Sequence, residues 1–158
     1  GTFEYEPPPL DEMKTRWRSV VGYGLPYIVA EIDGAVAGYG ACTPFRPRTG
    51  YRYTVEDSVY VDPRFQRRGV ARALLAELIA RAEAAGFRQM VAVIGDSANA
   101  GSVALHRAAG FTDAGVFRSV GFKHDKWTDI VFMQRALGQG DATPPDAPGL
   151  AIREVWGR

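Results

Sequence analysis

The chain has 158 residues, enough for one domain with a real core, and its formal net charge of +1 gives no global pull towards nucleic acid or an anionic membrane. Its single cysteine, Cys42, excludes an internal disulfide and agrees with a reducing cytoplasm. With two histidines beside it there is no zinc-ligand spacing, so no metal is expected, and no apolar run reaches the roughly 18 residues of a membrane span.

Pro7-Pro8-Pro9 stops regular structure, and Leu10 to Val21 then reads as a short, charge-rich helix. Tyr27 to Ile32 and Ala35 to Ala41 read as strands joined by Asp33-Gly34, a favoured two-residue hairpin turn. A polar, proline-bearing loop from Thr43 to Arg52 leads into a strand from Tyr53 to Val61, ended by Asp62-Pro63. Val70, Leu74, Leu75, Leu78, Ile79 and Ala82 recur at helical spacing, which predicts a helix from Val70 to Ala85 closed by Gly86. Gln89 to Ile94 is almost continuously apolar, as in a strand buried on both faces. Ser102 to Ala109 reads as a helix ended by Gly110, and strands follow near Thr112 to Val120 and Thr128 to Gln134. Mixed strands and helices in this order predict an α/β fold with helices on both faces of the sheet. After Leu137 the composition changes. Gly138 to Gly149 reads as a mobile Pro/Gly-rich linker, and Leu150 to Trp156 as a short strand or helix. The expected organisation is one domain over 1–137 and a tail over 138–158.

Chemistry concentrates first at Gln66-Arg67-Arg68-Gly69-Val70-Ala71, between a strand and a long helix. A glycine there lets the backbone pass close to a ligand. The free N–H groups of the first helical turn favour an anion, above all a phosphate, and Arg67 and Arg68 add positive charge. One strand and one loop later comes Asn99-Ala100-Gly101-Ser102-Val103-Ala104-Leu105-His106-Arg107-Ala108-Ala109-Gly110-Phe111. The first stretch resembles the pyrophosphate loop of the GNAT acyl-CoA N-acyltransferases, and the second resembles that family's Asn-x-x-Ser-x-x-Leu-x-x-x-x-Gly-Phe stretch beside the pantetheine arm. Thr2-Phe3-Glu4, Tyr51-Arg52-Tyr53-Thr54-Val55-Glu56, Val91-Ala92-Val93-Ile94-Gly95 and Gly121-Phe122-Lys123-His124-Asp125-Lys126-Trp127 are similar to the phosphinothricin and methionine-sulfoximine N-acetyltransferases. The resemblance runs from about Gly1 to Leu137.

What the resemblance implies is a mixed, mostly antiparallel sheet flanked by helices, acetyl-CoA as cosubstrate, a homodimer and a cytoplasmic location. Members of the family normally begin with a strand and helix ahead of the Thr-Phe-Glu region, a unit expected to be lacking here. Acetyl transfer needs the cosubstrate held, the thioester carbonyl polarised, the ammonium deprotonated and the thiolate protonated. Holding falls to Gln66 to Ala71 with Asn99 and Ser102, and polarising to a backbone N–H near Val59, Tyr60 and Val61. Glu56 is the expected general base, its carboxylate activated by surroundings that raise its pKa. Asp57 faces the other side of the strand by period-two geometry. His106 stands where many family members carry a tyrosine acid, and titrates near neutrality; general acid, base and structural roles all remain open.

Substrate recognition is expected in Thr43 to Tyr53. The guanidinium groups of Arg46 and Arg48 suit carboxylate, phosphinate or phosphonate oxygens, and Tyr51 and Tyr53 add rings with hydroxyls. Lys123, with His124 and Trp127, either closes the pocket or packs at a dimer contact. Phe3, with Tyr5 and the prolines, forms either a pocket wall or core. The leading function is acetylation of the α-amine of a small amino acid of the phosphinothricin or methionine-sulfoximine type. Alternatives are a protein or peptide N-acetyltransferase of the same fold and a non-catalytic acyl-CoA-binding module.

Overall fold

The computed structural model describes residues 4–96 and 98–152. Helix α1 (Leu10–Gly22) follows Pro9, which lacks the N–H that a preceding turn would need. Strands β1 (Tyr27–Ile32) and β2 (Ala35–Pro44) flank Asp33-Gly34, whose φ values of 52° and 78° are those of a primed hairpin turn. Strand β3 (Thr54–Val61), helix α2 (Val70–Ala84), strand β4 (Gln89–Gly95) and helix α3 (Ala100–Ala108) come next, then strands β5 (Thr112–Lys123) and β6 (Lys126–Ala136). The strands form one sheet in the order β1-β2-β3-β4-β6-β5, antiparallel except between β3 and β4.

Residue size decides how the first helix-to-sheet layer closes. Gly38 and Gly40 of β2 lie under α2, and a Cβ on Gly40 would stand 3.0 Å from Leu78 Cδ1. Leu74, Leu75, Leu78 and Ala82 of α2 are buried there. On the opposite face Tyr27, Tyr39 and Tyr60 stack across the strands, with ring centroids 5.6 and 4.8 Å apart, and α1 packs over β1 and β2.

Three sequence expectations change. Helix α3 begins at Ala100 rather than Ser102, because Asn99 Oδ1 accepts the Ser102 N–H at 3.3 Å and caps the first turn. Strand β5 runs on to Lys123 and β6 starts at Lys126, so only His124-Asp125 remains as turn, with φ values of 51° and 56°. The register slips between Asp113 and Gly115 and between Phe117 and Gly121, which erases the alternation a strand would show. The segment 138–152 is docked, not a mobile linker. Leu150 is buried in the main core, and the Arg88 guanidinium donates to the carbonyls of Gly140, Thr143 and Pro144. Residues 150–152 form no regular element, and the rest of the stretch to Trp156 lies outside the described residues.

Gly38→Ala would put a Cβ 2.5 Å from the Tyr60 carbonyl oxygen, a backbone atom that cannot swing aside. Chemical denaturation is expected to show a loss of about 1–3 kcal/mol, as for overpacked cores, while Gly22→Ala, with nothing within 4 Å, stays near neutral.

Candidate active site

Parallel pairing of β3 with β4 runs only from Thr54/Gln89 to Asp57/Ala92, although β3 continues to Val61 and β4 to Gly95. Beyond that point β3 keeps β2 as its neighbour, β4 keeps β6, and the two strands part. The β4-facing edge of β3 around Val59, Tyr60 and Val61 is thus left without a strand partner among the described residues. An extended chain bearing amides can add to such an edge.

The backbone then turns into an anion cradle. Asp62 accepts the Arg64 N–H at 2.9 Å and starts a short turn over Pro63–Phe65. Arg67 (φ 59°) and Gly69 (φ 80°) are left-handed, a curl that brings successive N–H groups to one side. Helix α2 starts there with no side-chain cap and no acidic residue in its first turn. Gln66, Arg67, Arg68 and Gly69 are exposed, whereas Val70 is buried under β2 and fixes the loop from below. Ala71 is half-buried. Asn99 and Ser102 stand at the start of α3, both half-buried.

Glu56 and Asp57 face opposite sides of β3, as period-two geometry requires. Asp57 is buried and its Oδ2 lies 2.9 Å from His106 Nε2, while His106 Nδ1 lies 2.8 Å from the Ser102 carbonyl oxygen. Both imidazole nitrogens therefore face acceptors, which favours the doubly protonated ring. Burial opposes the charge on His106, but the bond and attraction to Asp57 and the Ser102 carbonyl together raise its pKa above the ordinary value. Asp57 Oδ1 is buried with no hydrogen-bond partner among the described residues.

Glu56 occupies the other face, half-buried, in register with Thr43 and Val91. Desolvation raises its pKa; Arg46 pulls the opposite way and Asp57 adds to the rise. Glu56 is not itself in the lining of the cavity of about 400 Å³ on this face, but Thr54, two residues back on β3, and Glu56's register partner Val91 are. Phe45, Phe117 and Phe132 supply aromatic wall, Tyr51 and Arg46 one rim, and the paired amides of Gln89 and Gln134 (2.8 Å) a polar patch. The Arg46 guanidinium lies over the Phe45 ring at 4.4 Å, and Tyr51 meets that ring edge-on at 5.7 Å.

Of the residues expected to recognise substrate, Arg46 and Tyr51 line this cavity. Arg48 is exposed and outside the lining, Tyr53 lies under the Arg52 guanidinium at 4.7 Å, and Lys123 at the hairpin tip donates to the Glu4 carbonyl. Phe3 lies outside the described residues. Sequence reasoning missed the walls from Phe117 and Phe132 and the role of Asp57 as partner of His106. The pairing spans 49 positions and leaves no local trace.

The sequence model of the Acetyltransferase (GNAT) family matches residues 2–111. The chain belongs to the GNAT family. It is 51% identical over 146 residues to a phosphinothricin N-acetyltransferase of Alcaligenes faecalis, covering 92% of this chain and 74% of that protein. It is 44% identical over 130 residues to the L-methionine sulfoximine/L-methionine sulfone acetyltransferase of Salmonella typhimurium, covering 82% of this chain and 73% of that protein. Among solved structures, a GNAT superfamily phosphinothricin acetyltransferase from Sinorhizobium meliloti in complex with AcCoA superposes with a TM-score of 0.88 at 50% identity, covering 91% and 78% of the two chains. The GNAT fold expected from the motifs is thus the fold observed.

The His106 charge also couples stability to pH. Its pKa is raised in the folded state, so the stabilisation is complete below the ordinary value of 6.5 and is lost as pH rises through the folded value. Unfolding measured across neutral pH is expected to show this slope in the unaltered chain and to lose it in His106→Gln.

Proposed function

We propose that this chain transfers the acetyl group of acetyl-CoA directly to the α-amine of a small amino-acid-like substrate of the phosphinothricin or methionine-sulfoximine type. The observation that carries the reading is the half-buried Glu56 carboxylate, with its raised pKa, between the parting of β3 and β4 and the 400 Å³ cavity. In this reading the pyrophosphate lies on the Gln66–Ala71 turn with Arg67 and Arg68, and the amide-bearing arm adds to the open edge of β3 beside Asn99 and Ser102. A backbone N–H near Val59, Tyr60 and Val61 polarises the thioester carbonyl. Glu56 takes the ammonium proton, the amine nitrogen attacks the carbonyl carbon, the C–S bond breaks, and the thiolate takes the second proton that the nitrogen sheds. His106, with both ring nitrogens engaged by Asp57 and the Ser102 carbonyl, holds α3 to β3 where the pairing with β4 ends.

Direct transfer is supported by the place of the lone cysteine. Cys42 is fully buried on the Asp57 side of the sheet, and burial, with Asp57 second, pushes its thiol up to about 12. The aromatic wall and the Arg46 rim suit an amino acid with one carboxylate and a compact side chain. Its acetylation removes the α-ammonium charge, which is how the activity would confer resistance to amino-acid inhibitors. No helix among the described residues is long and apolar enough to cross a membrane, and a cytoplasmic location suits the lone buried thiol.

The reading includes a homodimer. Strand β5 is a sheet edge, and Val116, Phe117, Val120, Phe122 and Trp127 on the β5–β6 hairpin are all exposed. Phe117 also lines the cavity, so a second copy covering this hairpin would narrow its mouth. Trp127→Glu is expected to shift sedimentation from dimer to monomer; an unchanged mass would refute this face as the interface.

Free-thiol release from acetyl-CoA is the primary assay, over phosphinothricin, methionine sulfoximine, methionine sulfone, other amino acids and short peptides. Turnover confined to peptides would replace the small-molecule reading with a protein acetyltransferase. Glu56→Gln is expected to lower kcat about 10²–10⁴-fold with acetyl-CoA affinity unchanged. Equal loss of both would make Glu56 structural. Arg46→Ala removes the positive charge that lowers the Glu56 pKa, so the acid limb of the pH–rate profile should move to higher pH, and KM for the amine should rise more than in Arg48→Ala.

A further inference from the structure

The segment that composition marks as a linker is bound to the body through one side chain. Arg88, whose side chain is only 11% exposed, reaches the Gly140 carbonyl at 2.9 Å, the Pro144 carbonyl at 2.9 Å and Thr143 Oγ1 at 3.1 Å. A guanidinium is the side chain able to serve several acceptors in one plane, and its loss would leave those carbonyls without donors. Further on, the Leu150 N–H donates to the Arg52 carbonyl at 2.9 Å, and the Leu150 side chain enters the core. Gly149 (φ 71°) lies flush on the loop. A Cβ there would stand 2.8 Å from the Arg52 carbonyl oxygen and 2.9 Å from the Tyr53 ring.

These contacts close a ring. The Arg88 backbone N–H donates to the Tyr53 carbonyl at 2.9 Å, its side chain holds 140–144, and the chain returns at 149–150 to Arg52. The members of the ring on the body side adjoin cavity residues: Gln89 follows Arg88, Tyr51 precedes Arg52 and Thr54 follows Tyr53. We propose that residues 138–150 are a strap, clasped by Arg88, that positions Tyr51 and the Thr49–Tyr51 turn at the amine side of the cavity, making Arg88 a positioning residue for substrate selectivity. The inference rests on the assignment of the cavity to the amine substrate. Acetyl-CoA binding, at the far end of β3, does not involve the strap.

The test compares Arg88→Ala and Gly149→Ala with the unaltered chain. The first removes the clasp, and the second pushes the strap off Arg52. Amide hydrogen exchange is read at Tyr51 and Arg52, whose N–H groups bond to the Arg48 and Thr49 carbonyls. Both variants are expected to exchange faster there with β2 and β3 unchanged, and KM for the amine to rise ~5-fold or more while kcat and KM for acetyl-CoA change less than ~2-fold. Unchanged exchange at Tyr51 and Arg52 in both variants would overturn the strap, as would equal changes for both substrates. Faster exchange in a protein that turns over no amine would support the strap and refute the acetylation reading instead.

Discussion

Beyond Asp57 and Ala92, β3 and β4 stop pairing, and the rest of the molecule is arranged about that parting. Parallel strands share a sheet only when a crossover covers them, and here the crossover is α2, buried against β2 and β3 by Leu74, Leu75 and Leu78. The same crossover puts the uncapped start of α2 beside the mouth of the parting. An open strand edge and an anion cradle are therefore produced by one topological feature. Gly38 and Gly40 matter because they set how closely α2 approaches the sheet, and so where its first turn lies.

The pleat of β3 divides the chemistry between two faces. Asp57 is spent inside, bound to His106, so α3 is joined to the sheet at the floor of the parting by a buried charged pair. A buried pair of this kind is weak evidence of net stability, but losing one partner strands a charge. Glu56 is spent outside, where partial burial raises its pKa and Arg46 limits the rise. In the proposed reaction Glu56 is the base, and a base that must take up and release a proton near neutral pH benefits from that balance. Two neighbouring acids thereby acquire different tasks without competing for one proton.

Much of this was legible in the sequence, and the legible parts share a cause. Asp33-Gly34, Gly69, Gly86 and Gly110 mark positions where the backbone must be left-handed, and only a few residue types do that cheaply. Period two placed Glu56 and Asp57 on opposite faces, and period 3.6 found the buried stripe of α2. What escaped was made by long-range pairing. His106 finds Asp57 across 49 positions, and Arg88 finds Gly140 across 52. Strand β5 is exposed over Thr112 to Val120 and slips register twice, so neither its length nor the Phe117–Phe132 contact left a pattern to read. The tail misled because Gly and Pro content reports missing local structure and says nothing about a guanidinium waiting elsewhere.

The most direct test is a titration of the isotope-labelled protein with acetyl-CoA, followed through backbone amide resonances. The account predicts the largest changes at Val59, Tyr60 and Val61 and at Gly69, Val70 and Ala71, with smaller ones at Asn99 and Ser102 and none along β1. Saturable binding that leaves the Val59–Val61 and Gly69–Ala71 amides unmoved would contradict it, because the parting of β3 and β4 would then not be where the cosubstrate lies.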